Sequence, residues 1–342
     1  MDSTALLGVA LIIAAAIALF FVTRKPADAP KPAPKKPEAA PKAAEAPQKP
    51  LGSERPAKPV HSEPPPPPPM PVRPKRTPIV REEYLDGALD NDDTAPNSWI
   101  LVTGVGRTDP GMKRKHNEDA YLVLDDHHLF AVADGMGRHK AGEIASRLAV
   151  EIVGEAFATG DFGDSPFQKD HAKEENRLRA CFDLANKGVL EQSEENEDYQ
   201  GMGTTMVALH FSHSKERAAI AHAGDSRCYR YRDGELVQLT TDHTLGAAGI
   251  VGPSANVLSR AVGIEPNLEP EVQLVVPQPG DTFLICSDGL SRMATSDQIR
   301  DIIAKTADLD QAAAALIDVA NKAGGRDNVT VILVRVERAK IE

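Results

Sequence analysis

Three things are scarce in this chain, and each scarcity excludes something. Cysteine is the first: Cys181, Cys228 and Cys286 are the only three in 342 residues. They are far apart and odd in number, with no Cys-x-x-Cys. They read as buried, reduced thiols in a reducing compartment. The second scarcity is positive charge in the C-terminal part. The chain total is −11, residues 1–23 carry −1 and residues 24–78 carry +7, which leaves −17 for residues 79–342. An acidic folded part argues against nucleic-acid binding, which calls for a basic face. The third is a basic N-terminus: residues 1–4 hold Asp2 and no Lys or Arg, so the n-region of a secretory signal peptide is missing.

An apolar stretch comes next. Ala5 to Val22 is an uninterrupted run of 18 apolar or glycine residues. As a helix it would span roughly 27 Å, near the hydrocarbon thickness of a bilayer. Arg24 and Lys25 come directly after it, and the positive-inside rule then places the C-terminal part in the cytoplasm. The expectation is an uncleaved transmembrane helix over 5–22 in the inner (cell) membrane, single-pass, with the folded C-terminal part cytoplasmic. Residues 26–78 contain 19 prolines, including Pro64 to Pro69. Such a stretch buries no core and favours extended polyproline conformations, so residues 23–96 read as a disordered Pro/Lys-rich linker. The folded domain is expected over 97–338, starting near Trp99.

Within that domain, short runs rich in Val, Ile and aromatic residues recur: Trp99–Val105, Tyr121–Leu124, Leu129–Ala133, Thr204–Phe211, Ala218–Ala223, Cys228–Tyr231, Leu236–Leu239, Val272–Val276, Thr282–Cys286 and Val329–Val336. Gly, Asp, Asn and Pro bound them, as they bound strands. Arg232-Asp233-Gly234 signals a hairpin. Helical patterns cover 140–158, 171–192, 296–305 and 309–323. Strands and helices come in blocks, which predicts an α+β fold: an antiparallel β-sandwich flanked by helices on both sides.

Acidic residues cluster at the ends of these runs. Asn117-Glu118-Asp119 comes first, then Asp134-Gly135, Ser287-Asp288-Gly289 and Arg326-Asp327-Asn328. Carboxylates at strand ends beside glycines suit hard oxygen-seeking cations such as Mg²⁺ or Mn²⁺. Arg114, just upstream, suits a phosphate. A lone Asp-Gly is usually a turn; the ordered set carries the inference.

The same residues resemble the metal-dependent type 2C Ser/Thr protein phosphatases in their bacterial form. The matching pieces are residues 111–119, 134–143, 201–205, 223–227, 242–243, 258–263, 286–290 and 326–330, so the resemblance covers about residues 100–337. It implies that Asp134 bridges two metals and that Gly135 contributes its carbonyl. Asp288 and Asp327 would hold the first metal, and Glu118 and Asp119 the second, mostly through water. Arg114 would clamp the substrate phosphate, with Asn328 beside the ligands or on the substrate side. Arg114, Asp134, Asp288 and Asp327 are thus the expected catalytic set. The implied activity is hydrolysis of phosphoserine and phosphothreonine in proteins by water activated between two Mn²⁺ or Mg²⁺ ions, opposing a Ser/Thr kinase. A weakly active phosphoprotein-binding module tethered to the membrane is the alternative. Three departures from the family pattern stand out. Arg138 replaces a usual glycine. Arg292 replaces a usual aspartate that would join Asp225 at a possible third metal. The segment 244–257 is a short version of the flap beside the active site. Where a histidine follows the bridging aspartate in the mammalian branch, this chain has Met136. His116, His139 and His243 lie near motifs, and none is assigned as general acid.

Overall fold

β-branched and aromatic residues flanked by turn formers give eleven strands in the computed structural model, which describes residues 100–138, 140–163 and 171–338. The predicted anchor 5–22, the linker 23–96, Trp99 and His139 lie outside the described residues. Among the described residues no helix is long and apolar enough to cross a membrane.

One sheet orders its strands β1 (Ile100–Asp109), β11 (Val329–Arg338), β10 (Thr282–Cys286), β7 (Arg227–Arg232) and β8 (Glu235–Gln238). The other orders β2 (Asp119–Leu124), β3 (Leu129–Met136), β5 (Met206–Phe211), β6 (Ala218–Ala223) and β9 (Glu271–Val275), with the two-residue β4 (Gly203–Thr204) pairing off β3. All pairings between these strands are antiparallel. The run expected as one strand over 204–211 is broken at Thr205, whose backbone N–H turns to the Asp134 carbonyl at 2.8 Å. The hairpin at Asp233-Gly234 is as expected. Both residues have positive φ, 50° and 86°, which a two-residue turn with the strands' own twist requires.

The sheets face each other across an apolar interior. Val102, Phe130, Val132, Val207, Leu209, Phe211, Ile220, Phe283, Ile285, Ile332 and Val334 fill it, all buried. Phe130, Phe211 and Phe283 stack edge to face across it, with centroids 6.3 and 5.8 Å apart, the favoured aromatic arrangement. Alternation along each strand sends the other residues outward, where helices cover them. On the first sheet, Leu284, Cys286, Val331 and Leu333 pack against α3 (Asp288–Ser291), α4 (Ser296–Lys305) and α5 (Leu309–Lys322). Thr295 and Gln298 form a capping box that starts α4, and Asp308 caps α5 by accepting from Gln311 N–H. On the second sheet lie α1 (Ala141–Thr159) and α2 (Lys173–Glu195). Ala145, Leu148, Ala149, Ile152, Val153 and Ala156 give α1 its buried stripe at helical spacing. The predicted sandwich between helix layers is the observed fold.

All three cysteines are buried and unbonded. Burial pushes the Cys286 thiol up to about 12, and drives Cys181 and Cys228 upward as well. No reactive thiolate forms.

Candidate active site

Strand register brings the acidic residues together. Asp119 begins β2 and Asp134 lies near the end of β3, and the two are directly paired across the ladder. The sequence expectation set Asp134 after its strand; β3 instead continues through it to Met136. Asp288 follows β10, and Asp327 precedes β11, the strand antiparallel to it. Asp225 sits in the turn between β6 and β7. Antiparallel pairing makes the end of one strand the neighbour of the next one's beginning, so five carboxylates from distant segments meet at one end of the sandwich.

Hydrogen bonds fix each in place. The Asp134 backbone is held on both sides: its N–H donates to Thr205 Oγ1 at 3.2 Å, and its carbonyl accepts from Thr204 Oγ1 at 2.9 Å. Asp119 Oδ2 accepts from Ser287 Oγ at 2.8 Å and Thr330 Oγ1 at 2.7 Å, while its buried Oδ1 has no hydrogen-bond partner. Asn328 stitches the 110–118 loop to β11. Its Oδ1 accepts from Glu118 N–H at 2.8 Å, and its Nδ2 donates to the carbonyls of Pro110 and His116. Gly135 sits where a Cβ would come within 2.0 Å of the Gly142 carbonyl oxygen and 2.6 Å of the Glu118 carbonyl. Only glycine lets the start of α1 close against β3. Ser146 on α1 donates to the Glu118 carbonyl at 2.6 Å, tying the helix to the same loop.

The electrostatics are those of crowded, buried acids. Burial raises Asp119 to about 7, against the hydrogen bonds from Thr330 and Ser287 that favour its charge. Burial, then Asp119, Asp288, Asp327 and Asp225, holds Asp134 well above the usual carboxylate range. Asp288 rises to about 6 for the same first reason, with the Arg292 guanidinium opposing. Glu118 and Asp225 are also raised by burial, opposed by Arg114 and Arg292 respectively. Acids this close cannot all ionise without cations. An orphaned Asp119 oxygen, a backbone cradle closed around Gly135, and an all-oxygen donor set together fit hard divalent ions.

Two arginines bracket the cleft. Arg114, 48% exposed, places Nη2 2.9 Å from Asp327 Oδ2 and Nη1 3.9 Å from Glu118. The bond to Asp327 is the main cause of its raised pKa. Arg292, on the other side, places Nη2 2.8 Å from Asp225 and 2.9 Å from Asp288. The expected short flap is a tight turn, closed by Leu245 N–H to Val257 O and Gly246 N–H to Ala255 O. Arg138 is exposed.

Ser287, Thr330, Thr204 and Thr205, which hold these acids in place, are not singled out by the sequence. The signal available was only adjacency: each stands one to three residues from a recognised acidic or glycine motif. Asn117 does act locally, accepting from Asp119 N–H at 3.2 Å. His116 is exposed on the loop. His243 is buried: its Nδ1 faces Gly224 N–H, and its Nε2 lies 3.3 Å from both Glu271 and Arg260. Among the described residues, His222, His243 and Glu271 form the one trio whose ligand atoms all lie within 4.8 Å of one another. Their atoms are already engaged, His222 Nε2 on the Thr241 carbonyl and His243 beside the Arg260 cation. The cleft carboxylates are more widely spaced, which suits more than one ion completed by water.

The protein phosphatase 2C family profile matches residues 112–326. The chain is 37% identical to the Serine/threonine phosphatase stp of Listeria welshimeri over 242 residues, covering 67% of this chain and 93% of that protein. It is 34% identical to Protein phosphatase PhpP of Streptococcus pneumoniae over 249 residues, covering 69% of this chain and 98% of that one. In three dimensions it is similar to the catalytic domain of the serine threonine protein phosphatase PstP, described in complex with two manganese ions. The TM-score is 0.61 at 33% identity, covering 70% of this chain and 99% of that one. With an acidic cleft at the end of a helix-flanked sandwich and these relatives, the chain belongs to the protein phosphatase 2C family.

Proposed function

We propose that this chain is a metal-dependent phosphatase that hydrolyses phosphoserine and phosphothreonine in proteins, and that its site is the acidic cleft. Asp134, Asp288, Asp327, Asp119, Glu118 and the Gly135 carbonyl are the residues that would hold a pair of Mn²⁺ or Mg²⁺ ions. The observation that carries the reading is the convergence of Asp119, Asp134, Asp288 and Asp327 from four strand ends into one cluster. When bound, such ions acidify water and balance the charge of a phosphoryl group.

The chain's own side chains do the positioning. Arg114 carries a five-donor fork with one nitrogen on Asp327 and nearly half its side chain exposed, so it can receive phosphate oxygens at the cleft mouth. Ser287 and Thr330 orient the Asp119 carboxylate so that Oδ1 stays available. Asn328 and Ser146 hold the Glu118 backbone from opposite sides, which keeps Glu118 beside Arg114. His243 is committed to its buried contacts and does not serve as proton donor. With its thiols buried, the chain offers no cysteine nucleophile.

The partners implied are phosphorylated proteins and the Ser/Thr kinase that phosphorylates them. The run 5–22, with Arg24 and Lys25 behind it, supports a membrane anchor with the phosphatase domain 97–338 in the cytoplasm. The decisive experiment is turnover of p-nitrophenyl phosphate and of phosphoserine and phosphothreonine peptides by the full chain, with and without Mn²⁺. Mn²⁺-dependent hydrolysis is expected; none on either substrate would rule the reading out. A cytoplasm-only reporter fused after Glu342 should be active, and secretion of a shortened form would refute the anchor.

A further inference from the structure

The acidic cleft has two flanks, and they are neutralised differently. On one, Arg114 meets Asp327 through a half-exposed ion pair. On the other, a single nitrogen of Arg292 touches two carboxylates at once. Nη2 lies 2.8 Å from Asp225 Oδ2 and 2.9 Å from Asp288 Oδ2. Those carboxylates come from different strand ends, Asp225 from the β6–β7 turn and Asp288 from the end of β10. Arg292 reaches both because it stands one helical turn after Asp288 at the end of α3, where its own N–H donates to the Asp288 carbonyl at 2.8 Å.

Two buried carboxylate oxygens within bonding distance of one point form the donor pair that a hard divalent cation would take, completing its shell with water. Here the point is already filled by a nitrogen that carries part of a permanent positive charge. A guanidinium does not give up its proton in a protein, so the point carries a fixed positive charge. The cavity beside it, about 200 Å³, is bounded by Arg227, Asp242, Thr244, Asn256 and Ser291 together with these three residues. Arg227 is fully engaged there with Asp242, at 2.8 and 2.7 Å, and so cannot replace Arg292 at the Asp225–Asp288 pair.

We infer that Arg292 is a built-in cation between Asp225 and Asp288, so that this chain binds two divalent ions and excludes a third. The inference rests on the phosphatase reading for the two ions themselves. The residues present do not fit a third: a metal at the Asp225–Asp288 pair would lie against the guanidinium and be repelled by it. The consequence for function is economy of metal. A cation that is part of the chain needs no free ion to supply it, so activity saturates with the two ions alone.

The test is Mn²⁺ stoichiometry, measured on the full chain by equilibrium dialysis with metal analysis up to free Mn²⁺ on the order of millimolar, the range of weak oxygen-ligand sites. Wild type is expected to bind two ions with no weak class. Arg292→Asp and Arg292→Ala should each gain a third, weak ion, and Arg292→Lys should remain at two. The rate of Arg292→Asp should also gain a second phase of Mn²⁺ dependence that wild type lacks. A third ion on wild type would overturn the inference and leave the phosphatase reading standing. So would variants that lose thermal stability while still binding two, which would make Arg292 a purely structural pair. If Arg292→Asp does not fold, Arg292→Ala decides. A wild type that binds no Mn²⁺ would overturn both readings together.

Discussion

The interior between the sheets and the cleft at their edge are built from the same strands and obey opposite rules. In the interior, Phe130, Phe211 and Phe283 meet edge to face among Val, Leu and Ile, all buried. Each apolar side chain there gains from being removed from water. A few residues further along the same strands, Asp119 and Asp288 are also buried and Asp134 is half-buried, and desolvation raises every one of them. There the folded chain gathers groups that repel each other. Strands that extend from one region into the other join a rigid platform to a cleft whose crowded acids cost stability when no cation offsets them.

The contrast is tested most severely by Asp134→Asn. It should lower Mn²⁺-dependent turnover by several orders of magnitude, because it removes the proposed bridging ligand. The metal-free variant should keep its fold and melt higher than wild type, since one repelling carboxylate has gone. Activity above about a tenth of wild type at saturating Mn²⁺ would show that the cleft is not the site.

The converse change is Phe211→Ala. Emptying a fully buried aromatic position should cost about 3–5 kcal/mol in urea unfolding, while molecules that remain folded keep their kcat. A loss under about 1 kcal/mol would mean that the interior tolerates voids.

A pH series separates the cleft from the helix-covered outer face of the second sheet by sign. Asp119, at about 7 when folded, keeps its proton where the unfolded chain has lost it, so the metal-free protein loses stability as pH rises from about 4 to about 7. His210 lies far from the cleft on β5, edge-on to Phe157 at 4.7 Å. Burial lowers it to about 3, so its contribution is lost as pH falls from about 6.5 toward 3. In thermal melts, Asp119→Asn should flatten the decline toward neutral pH, and His210→Phe should flatten the decline toward acid. Mn²⁺ should offset only the first. Identical profiles for wild type and Asp119→Asn would show that Asp119 is not held protonated.

The smallest expected effect is at Arg114. Arg114→Ala should raise KM for phosphopeptides, about tenfold or somewhat more, and lower kcat less, because a guanidinium that grips phosphate oxygens throughout gives mostly uniform binding. An unchanged KM would show that its pairing with Asp327 is its whole role.

Much of this was legible in the chain. Periodicity located the sandwich and its helices because alternating apolar residues can be buried on only one face of a strand. Ala218–Ala223, Thr282–Cys286 and 296–305 end where their turn and cap residues dictate. The acidic motifs were legible for a different reason: each alone reads as a turn, but several carboxylates in order beside strand ends and glycines suit hard cations. The side chains that hold those motifs were not. Ser287, Thr330 and Thr205 carry ordinary hydroxyls, and nothing local distinguishes one that orients a buried carboxylate from one that faces water.

Strands, helices, the acidic set and the presence of an arginine at 292 all depend on composition and short-range spacing, and so can be read along the chain. Which distant residues share a point in space depends on the folded arrangement of whole sheets. The pairing of Asp119 with Asp134 follows from the register of β2 on β3. The meeting of Arg292 with both Asp225 and Asp288 follows from the packing of three strand ends around one short helix. Contacts across 67 residues of chain are set by how the sheets close on an apolar interior, and no local rule encodes that closure.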